Sequence, residues 1–294
     1  MATNSKMFEK KSDDKIKKNI FSYYPKTRKD ITYNQLFAFA GMQGWRTSNE
    51  DFHKHLIPID DQSWKRIDTA KNAANLVDKY IIDALNQIRL NPNNELIDKS
   101  QFNINQFSYI IKNKFLQLDK HLSTLVNDQS GSVCIVCLIG PLYIYLINLG
   151  DSRGIIISNN GQVLASTKDH KPSVEQEKKR IEKAGGRVTQ CENDVPRVEY
   201  KLAISRTLGD YTFDKRFIPA SPDIIQYPIN SSASFVIIAC DGIWDVMTNE
   251  QVAQFVSQKA SNTSIQDIAS QLLDQSFILG STDNMSIYII KISN

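Results

Sequence analysis

Residues 133–149 constrain the fold more than any other part of the chain, because these seventeen residues include no charged side chain. Their number reaches the lower limit for a helix that spans a membrane. Gly140-Pro141 lies near the middle, however, and proline interrupts a helix by removing a backbone donor and clashing with the preceding turn. Ile, Val and Tyr dominate both flanks, as is typical of strands. We therefore predict two buried strands joined at Gly140-Pro141, and no membrane span.

Cys134 and Cys137 lie in the first of these strands with the spacing of a metal or redox motif. Residues three apart in a strand point to opposite faces, so the two thiols cannot converge, and we interpret both as core residues. With Cys191 and Cys240 the chain has four cysteines, too few for a fold built on disulfides. Residues 1–18 are rich in Lys and lack the apolar core of a secretory signal. These features predict an intracellular and cytoplasmic location, with the cytoskeleton as one candidate attachment.

Charge is distributed unevenly along the chain. Thirty-five Lys and Arg against 32 Asp and Glu give a net charge of +3. Residues 1–30 hold nine basic and four acidic residues, a net +5, so residues 31–294 carry −2. The body is not a surface for polyanions, which argues against nucleic acid as a partner. We predict a basic tail or docking arm over 1–30, able to attach to a larger assembly, and one domain over 31–294.

Hydrophobic periodicity and capping signals predict a mixed α/β architecture with an antiparallel sheet core. Helices are predicted near 73–90 and 107–125, after Pro172, after Thr248 and from Ser264. Ser173 with Gln176, and Thr248 with Gln251, have the spacing of capping boxes, and Gly185-Gly186 is a helix stop. Strands are predicted at 37–41, 153–158, 235–240 and 285–292.

Three acidic positions stand where predicted strands meet loops: Glu50-Asp51, Asp241-Gly242 and Asp283-Asn284. Asp241 directly follows an apolar strand, and Gly242 is expected to leave room for a close ligand. Converging carboxylates repel one another unless a cation lies between them, and oxygen ligands select Mg²⁺ or Mn²⁺. Any one of these positions, taken alone, is more typical of a solvated loop than of a metal site.

These acidic positions belong to a longer series of motifs that occur in one order along the chain. The series resembles the metal-dependent protein serine/threonine phosphatases (PPM type, protein phosphatase 2C-like). Its segments are Gly41-Met42-Gln43-Gly44-Trp45-Arg46 with Glu50-Asp51, Asn148-Leu149-Gly150-Asp151-Ser152-Arg153, Asp169-His170-Lys171-Pro172, Ala184-Gly185-Gly186, Ser205-Arg206-Thr207-Leu208-Gly209-Asp210, Ala239-Cys240-Asp241-Gly242 and Thr282-Asp283-Asn284.

The resemblance implies an α+β fold, a four-layer α-β-β-α sandwich of two antiparallel sheets flanked by helix pairs. It also implies two Mg²⁺ or Mn²⁺ ions that activate a water for attack on a phosphoserine or phosphothreonine. Carried over by position, Arg46 would bind phosphate, although it could instead pair with a neighbouring carboxylate. Glu50 and Asp51 would hold or orient metal-bound waters. Asp241 and Asp283 would bind one metal directly.

The family's most specific motif, Asp-Gly-His-Gly-Gly, is missing from this chain. Its aspartate bridges both metals, but no Gly-His follows an aspartate anywhere in residues 62–74. Asp68 is the only stand-in, and it comes about three residues early if Ser63-Trp64 is aligned with a Ser-Trp common in the family. Three strand residues span roughly 10 Å and reverse the side that a residue faces. Lys65, Arg66 and Lys71 also add positive charge that could take a cation's place.

Smaller departures agree with this loss. Val133 stands where the family usually has threonine, and Tyr200 stands where the pattern Arg-Val-Asn-Gly has its glycine. Two interpretations follow. One is a pseudophosphatase that keeps the fold as a binding or structural module for a protein or phosphoprotein, with one metal ion or none. The other is an active Mg²⁺- or Mn²⁺-dependent phosphatase with an atypical bridging ligand.

Overall fold

A computed structural model describes residues 25–46, 48–52, 69–89, 104–126, 129–140, 142–192, 194–229 and 232–292. Asp68, Lys65 and Arg66 lie outside the described residues, and so do residues 1–24 of the predicted tail.

Thirteen strands are described, and all pair antiparallel. The strands are β1 Lys26–Tyr33, β2 Phe37–Gly44, β3 Gly131–Ser132, β4 Cys134–Ile139, β5 Tyr143–Leu149, β6 Arg153–Ile157, β7 Val163–Ser166, β8 Val188–Thr189, β9 Arg197–Val198, β10 Leu208–Gly209, β11 Asp223–Pro228, β12 Phe235–Ala239 and β13 Met285–Lys291. One sheet has the order β1-β2-β13-β12-β6-β7 and a second has the order β11-β5-β4. Two short ribbons, β10-β3 and β8-β9, complete the pairing.

Six helices are described, and most lie in pairs along the chain. They are α1 Thr69–Arg89, α2 Ile104–Leu125, α3 Glu175–Lys183, the single turn α4 Asp241–Trp244, α5 Asn249–Lys259 and α6 Ile265–Ile278. Their amphipathic faces supply the apolar surface that covers each sheet.

Three apolar layers show how the elements stack. Helices α5 and α6 pack on the six-stranded sheet through residues such as Val256 and Leu272. Helices α1 and α2 cover the outer face of the smaller sheet, with Phe107 and Phe115 among the buried residues. Between the sheets, Leu146 of β5 meets β6 and β12. The predicted four-layer α-β-β-α sandwich is confirmed, since burying both faces of both sheets requires this order.

The uncharged stretch forms the two predicted strands, β4 and β5, paired in register from Cys134↔Leu149 to Ile139↔Ile144. Cys134 packs toward the helical layer and Cys137 toward the layer between the sheets, so the two thiols point apart as predicted. All four cysteines are free. None of the described helices has the length and apolarity needed to cross a bilayer.

The boundary predicted between residues 30 and 31 is wrong, because it cuts strand β1. Lys29 of this strand donates to Ser270 Oγ at 2.9 Å and pairs with Asp274 at 2.6 Å, both on α6. β1 is an edge strand with almost every residue exposed, so its sequence has no alternation of apolar and polar residues. Lys26, Arg28, Lys29 and Asp30, which were counted with the tail, belong to a strand that faces water.

Two helix starts show opposite outcomes for the capping predictions. Thr248 and Gln251 form the predicted capping box at α5, with both reciprocal hydrogen bonds present. At α3 the cap is Val174 without a side-chain hydrogen bond, so the prediction of Ser173 with Gln176 is wrong. Gly185, at φ +94°, ends that helix as predicted.

Tyr200 occupies the position where the family pattern has glycine, and its φ is +64°. Only glycine adopts this left-handed region without a steric cost, which is about 1–2 kcal/mol for a residue with a Cβ. Glu199, at φ +48°, is also left-handed. The chain therefore accepts strain in this turn.

Replacing Tyr200 by Gly should relieve this strain, whereas Tyr200→Ala removes the ring and keeps the Cβ. We expect Tyr200→Gly to unfold with a free energy about 0.5–1 kcal/mol higher than Tyr200→Ala, after the entropy that glycine adds to the unfolded chain. Urea unfolding of the two variants measures the difference. A more stable alanine variant would contradict the assigned strain.

Candidate functional site

Three chain segments meet at one end of the six-stranded sheet. β2, β13 and β12 are neighbours, with Met42 paired to Met285 and Ala239 paired to Ile287. Because the strands are antiparallel, the ends of β2 and β12 lie beside the start of β13. The loop after β2, the turn α4 and Asp283 therefore converge there, which places the predicted acidic positions together.

Asn284 ties these segments to one another. Its Nδ2 donates to the carbonyls of Gln43 at 2.8 Å and Ser48 at 3.0 Å. Its Oδ1 accepts from the Glu50 amide at 2.8 Å. The side chain is only 4% exposed. Three hydrogen bonds to backbone groups thus fix the loop that carries Arg46, Glu50 and Asp51.

Two glycines allow the backbones to approach closely enough for this. A Cβ on Gly44, which has φ +64°, would lie 2.5 Å from the Asp283 carbonyl oxygen. A Cβ on Gly242 would lie 2.0 Å from the Asn284 carbonyl oxygen. The expectation that Gly242 leaves room for a ligand is therefore wrong, because the chain's own backbone fills that space.

Arg46 forms an ion pair with the Asp283 carboxylate. This hydrogen bond is the main reason that the pKa of Arg46 is raised, and Glu50 and Asp241 add to the effect. The arginine side chain remains 55% exposed. The predicted phosphate ligand and one predicted metal ligand are thus partners of each other, the alternative that the sequence left open.

The carboxylates carry an electrostatic cost. Burial, together with repulsion from the neighbouring carboxylates of Asp151 and Asp283, raises the pKa of Asp241 to about 7. Burial also raises the pKa of Asp51, with Asp283 and Glu50 contributing. Asp51 Oδ2 is buried and has no hydrogen-bond partner among the described residues. Like charges in a low dielectric favour the protonated acid unless a cation compensates them.

The sequence reasoning gave no role to three members of this group: Asp151, Asp245 and Lys171. Burial raises the pKa of Asp151 to about 6, partly offset by the Lys171 ammonium. Lys171 Nζ donates to Asp245 Oδ1 at 3.0 Å. Asp151 follows β5 and Gly150 much as Asp241 follows β12, so a strand-end aspartate was the signal available. We call the eight residues Arg46, Glu50, Asp51, Asp151, Lys171, Asp241, Asp245 and Asp283 the carboxylate cluster.

His170 holds the Asp151 end of the cluster. Its backbone amide donates to the Gly150 carbonyl at 2.9 Å, and the Gly150 amide donates to His170 Nδ1 at 3.0 Å. Because Nδ1 accepts, Nε2 carries the proton and donates to Asp223 Oδ2 at 3.2 Å. This reciprocal pair fixes the backbone immediately before Asp151.

The oxygen atoms of this cluster are of the type that a hard divalent cation prefers as ligands, but they are not arranged to hold one. Carboxylate oxygens are the ligands that Mg²⁺ and Mn²⁺ prefer. Asp51 Oδ2, which has no hydrogen-bond partner among the described residues, is free to act as such a ligand. Across the described ranges, however, no three His, Cys, Asp or Glu side chains are grouped so that they could hold a metal ion. Asp283 is turned to Arg46 instead.

The comparisons with known proteins agree with this fold and these motifs. The sequence profile described as Protein phosphatase 2C matches residues 36–285. Protein phosphatase 1B of Rattus norvegicus is 33% identical over 296 residues, covering 92% of this chain and 74% of that protein. Protein phosphatase 1A of Homo sapiens is 33% identical over 276 residues, covering 88% and 71%. The chain belongs to the protein phosphatase 2C family.

Solved structures support the same fold. A serine-threonine phosphatase 2C from Toxoplasma gondii superposes with a TM-score of 0.69 at 20% identity, covering 92% of this chain and 98% of that one. A phosphatase from a pathogenic strain of the same organism gives 0.65 at 23% identity, covering 91% and 98%. At these identities the likeness concerns the fold alone.

Asn284→Ala should release the loop after β2. The substitution removes hydrogen bonds to two carbonyls and one amide, a cost of about 2–3 kcal/mol in the free energy of unfolding. We also expect faster hydrogen exchange at the Glu50 amide. Asn249→Ala is the control, since Asn249 contacts Arg153 and Ser166 instead. Equal Glu50 exchange in both variants would contradict the role given to Asn284.

Asp241→Asn should stabilise the metal-free protein at alkaline pH. An acid whose pKa is raised on folding costs stability once it ionises, so the cost is absent below about pH 4. It grows as the pH rises and is complete above the folded pKa of about 7. We expect a gain of roughly 2–4 kcal/mol at pH 8 in a chelating buffer and none at pH 4.

Denaturant unfolding at the two pH values measures this gain. Asp214→Asn is the matched control, because Asp214 pairs with Arg216 on the surface and its pKa is lowered. If Asp241→Asn destabilised the protein at pH 8, the repulsion assigned to the cluster would be refuted.

Proposed function

We propose that this protein is a pseudophosphatase, a phosphatase 2C fold that binds a protein partner and has lost hydrolysis or retains little of it. The observation that carries the proposal is the sequence of residues 62–74, which has no Asp-Gly-His-Gly-Gly. Asp68 remains the only candidate for a bridging ligand, and it lies outside the described residues.

Losing a bridging carboxylate weakens metal binding more than losing a peripheral one. It contributes a ligand to each of two cations and fixes the distance between them. Changes outside the first ligand shell commonly cost 10–100-fold in metal affinity, so loss of a shared ligand should cost more. Two-metal hydrolysis depends on that fixed pair.

The Arg46–Asp283 ion pair supports the same proposal. A phosphate would have to take the guanidinium from Asp283, and a cation would have to take the carboxylate from Arg46. The residual cation site consists of Asp241 and Asp283, with Glu50 and Asp51 as water-holding residues, and takes one Mg²⁺ or Mn²⁺ ion or none. When bound, such an ion would neutralise the carboxylates and attract phosphate.

The surface beside Arg46 suits a protein partner. Trp45 is 51% exposed and stacks on Phe277 with ring centroids 6.0 Å apart. Ile278, next in sequence, is 75% exposed. Exposed aromatic and aliphatic groups next to a charged anchor are typical of protein-binding surfaces. A phosphorylated segment with an apolar neighbour would use both features.

The free cysteines support an intracellular place of action.

The second candidate is an active Mg²⁺- or Mn²⁺-dependent protein serine/threonine phosphatase. It is favoured by the survival of Arg46, Glu50, Asp51, Asp241 and Asp283 in one cluster. The relatives named protein phosphatase 1A and 1B also favour it.

A paired measurement on the full chain separates the two candidates. With Mn²⁺ and a phosphoserine peptide, we expect turnover no greater than that of Asp241→Asn. We expect the peptide to bind, and Arg46→Ala to weaken binding about tenfold, because charge-assisted hydrogen bonds contribute about 1.5–3 kcal/mol. Arg216→Ala, which removes an arginine from an exposed ion pair with Asp214, is the control.

Turnover that Asp241→Asn abolishes would establish the active phosphatase. Absence of both turnover and phosphopeptide binding would reject phosphorylated segments as partners.

A further inference from the structure

Strand β1 is a free edge of the six-stranded sheet. It pairs with β2 on one side, and no other described strand pairs with its opposite side. Seven of its eight residues are exposed. The register with β2 shifts between Lys26 and Lys29 and then continues without interruption to Tyr33. The edge of a sheet carries backbone N–H and C=O groups to which another extended chain can pair.

The hydrogen bonds between β1 and β2 show which backbone groups of this edge are unpaired. Directly after the strand, the Asn34 amide donates to the Phe37 carbonyl at 2.9 Å, and this pair continues the β1–β2 register. In an antiparallel ladder, hydrogen-bonded pairs alternate with pairs that are not hydrogen-bonded. Thr32 therefore bonds to β2, whereas the N–H and C=O groups of Ile31 and Tyr33 point away from the sheet.

The side chains at this part of the edge favour an extended chain with apolar residues at alternate positions. Lys29 contacts Ser270 and Asp274 of α6, and strand alternation puts Ile31 and Tyr33 on the same face as Lys29. These two side chains belong to residues that are 41% and 57% exposed. Residues directly opposite each other in neighbouring strands share a face, and β-branched or aromatic pairs are stabilising. An added strand would thus place apolar side chains opposite Ile31 and Tyr33.

The beginning of the strand adds a preference for acidic residues. Three basic residues and one acid give β1 a net charge of +2. Lys29 is paired with Asp274, but neither Lys26 nor Arg28 forms an ion pair with another described residue. Lysine at a sheet edge discourages pairing with a like-charged strand. A second copy of this chain would bring the same positive charge, so the occupant that fits is an acidic segment of another protein.

We propose that an extended segment of a partner protein adds to β1 as a further antiparallel strand. Its apolar residues lie opposite Tyr33 and Ile31, and its acidic residues follow beside Arg28 and Lys26. Backbone hydrogen bonds to the unpaired groups of β1 provide affinity, and the alternating side chains provide specificity. Every described pairing in this sheet is antiparallel, which sets the expected direction.

This direction connects the edge to the surface beside Arg46. An antiparallel segment runs along β1 toward Lys26, which pairs with Gly44. Trp45 and Arg46 follow Gly44 directly in the chain. The segment therefore leaves β1 on the side of Trp45 and of the arginine to which the proposed function assigns phosphate. The inference rests on the proposed function for the class of its ligand, a protein, but it requires neither phosphate nor turnover.

Amide hydrogen exchange of the full ¹⁵N-labelled chain tests the pairing with one probe, the acetylated and amidated peptide Val-Thr-Val-Thr-Val-Glu-Glu-Glu. In the free protein we expect slow exchange at the Thr32 amide and fast exchange at the Ile31 and Tyr33 amides. Excess peptide should slow exchange at Ile31 and Tyr33 about tenfold, because these amides become hydrogen-bonded. Unchanged exchange at both amides would overturn the proposal.

The probe carries no phosphate, so its outcome is separate from that of the phosphopeptide experiment. Slowed exchange at Ile31 and Tyr33 supports strand addition even if Arg46→Ala leaves phosphopeptide binding unchanged. Unchanged exchange rejects strand addition even if Arg46→Ala weakens phosphopeptide binding as the proposed function expects.

Modified peptides test the register and the charge on the unaltered protein. N-methylation of the valines removes the N–H groups that face β1 and should weaken binding about tenfold or more, whereas N-methylation of the threonines should not. Equal affinities of the two methylated peptides would contradict the pairing. Lysines in place of the glutamates should weaken binding about three- to tenfold at low salt, and the difference should shrink as salt rises. Equal affinities of the acidic and basic peptides would reject an acidic partner.

A substitution in β1 provides the matched test. Ile31→Pro removes an outward N–H and keeps the hydrogen bonds to β2, and proline is tolerated where an edge faces solvent. We expect this variant to bind the probe about tenfold or more weakly. Thr32→Pro, which removes an amide bonded to β2, should unfold at lower urea than Ile31→Pro. Unchanged probe affinity in Ile31→Pro, or equal destabilisation by the two prolines, would contradict the assigned edge.

Discussion

The site depends on one constraint: hydrogen bonds between the Asn284 side chain and the backbone hold several carboxylates close together. Asn284 joins the β2 loop to the start of β13, and Gly44 and Gly242 let the backbones touch. These contacts bring Asp51, Asp241 and Asp283 together. Desolvation and repulsion then raise the pKa values of Asp51 and Asp241. The fold therefore places these carboxylates where they repel one another, and a positive charge among them would be stabilising.

The carboxylates can be neutralised by different positive groups, and each of these corresponds to a different function. Two bridged cations would give hydrolysis, one cation would give a phosphate-binding surface, and an arginine or lysine would give a charged contact without metal. Arg46 already neutralises part of the negative charge through its ion pair with Asp283. The missing Asp-Gly-His-Gly-Gly removes the ligand that favours the first outcome. The proposed loss of hydrolysis follows from that missing ligand.

The sequence predicted the features that local chemistry determines. Gly140-Pro141 between two apolar runs gave β4 and β5, and strand alternation separated Cys134 from Cys137. The motif series gave the four-layer sandwich and five members of the cluster. Tyr200 marked a turn whose glycine had been replaced, and the structure gives that residue a left-handed φ.

Features set by long-range packing were not predictable in the same way. β1 has no apolar alternation because it lies at a sheet edge, so its first residues were assigned to a tail. Ser173 and Gln176 had capping spacing, but the helix begins one residue later, after Val174. Gly242 faces the Asn284 carbonyl, a contact between residues 42 positions apart. No local pattern shows which backbone will fill a glycine's space.

Anomalous diffraction from crystals of the full chain soaked in Mn²⁺ tests the central claim most directly, because it counts the cations at the cluster. The account predicts at most one Mn²⁺ peak, next to Asp241 and Asp283, with no carboxylate shared between two ions. Two peaks about 3.5–4 Å apart, joined through Asp68 or another oxygen donor, would contradict it.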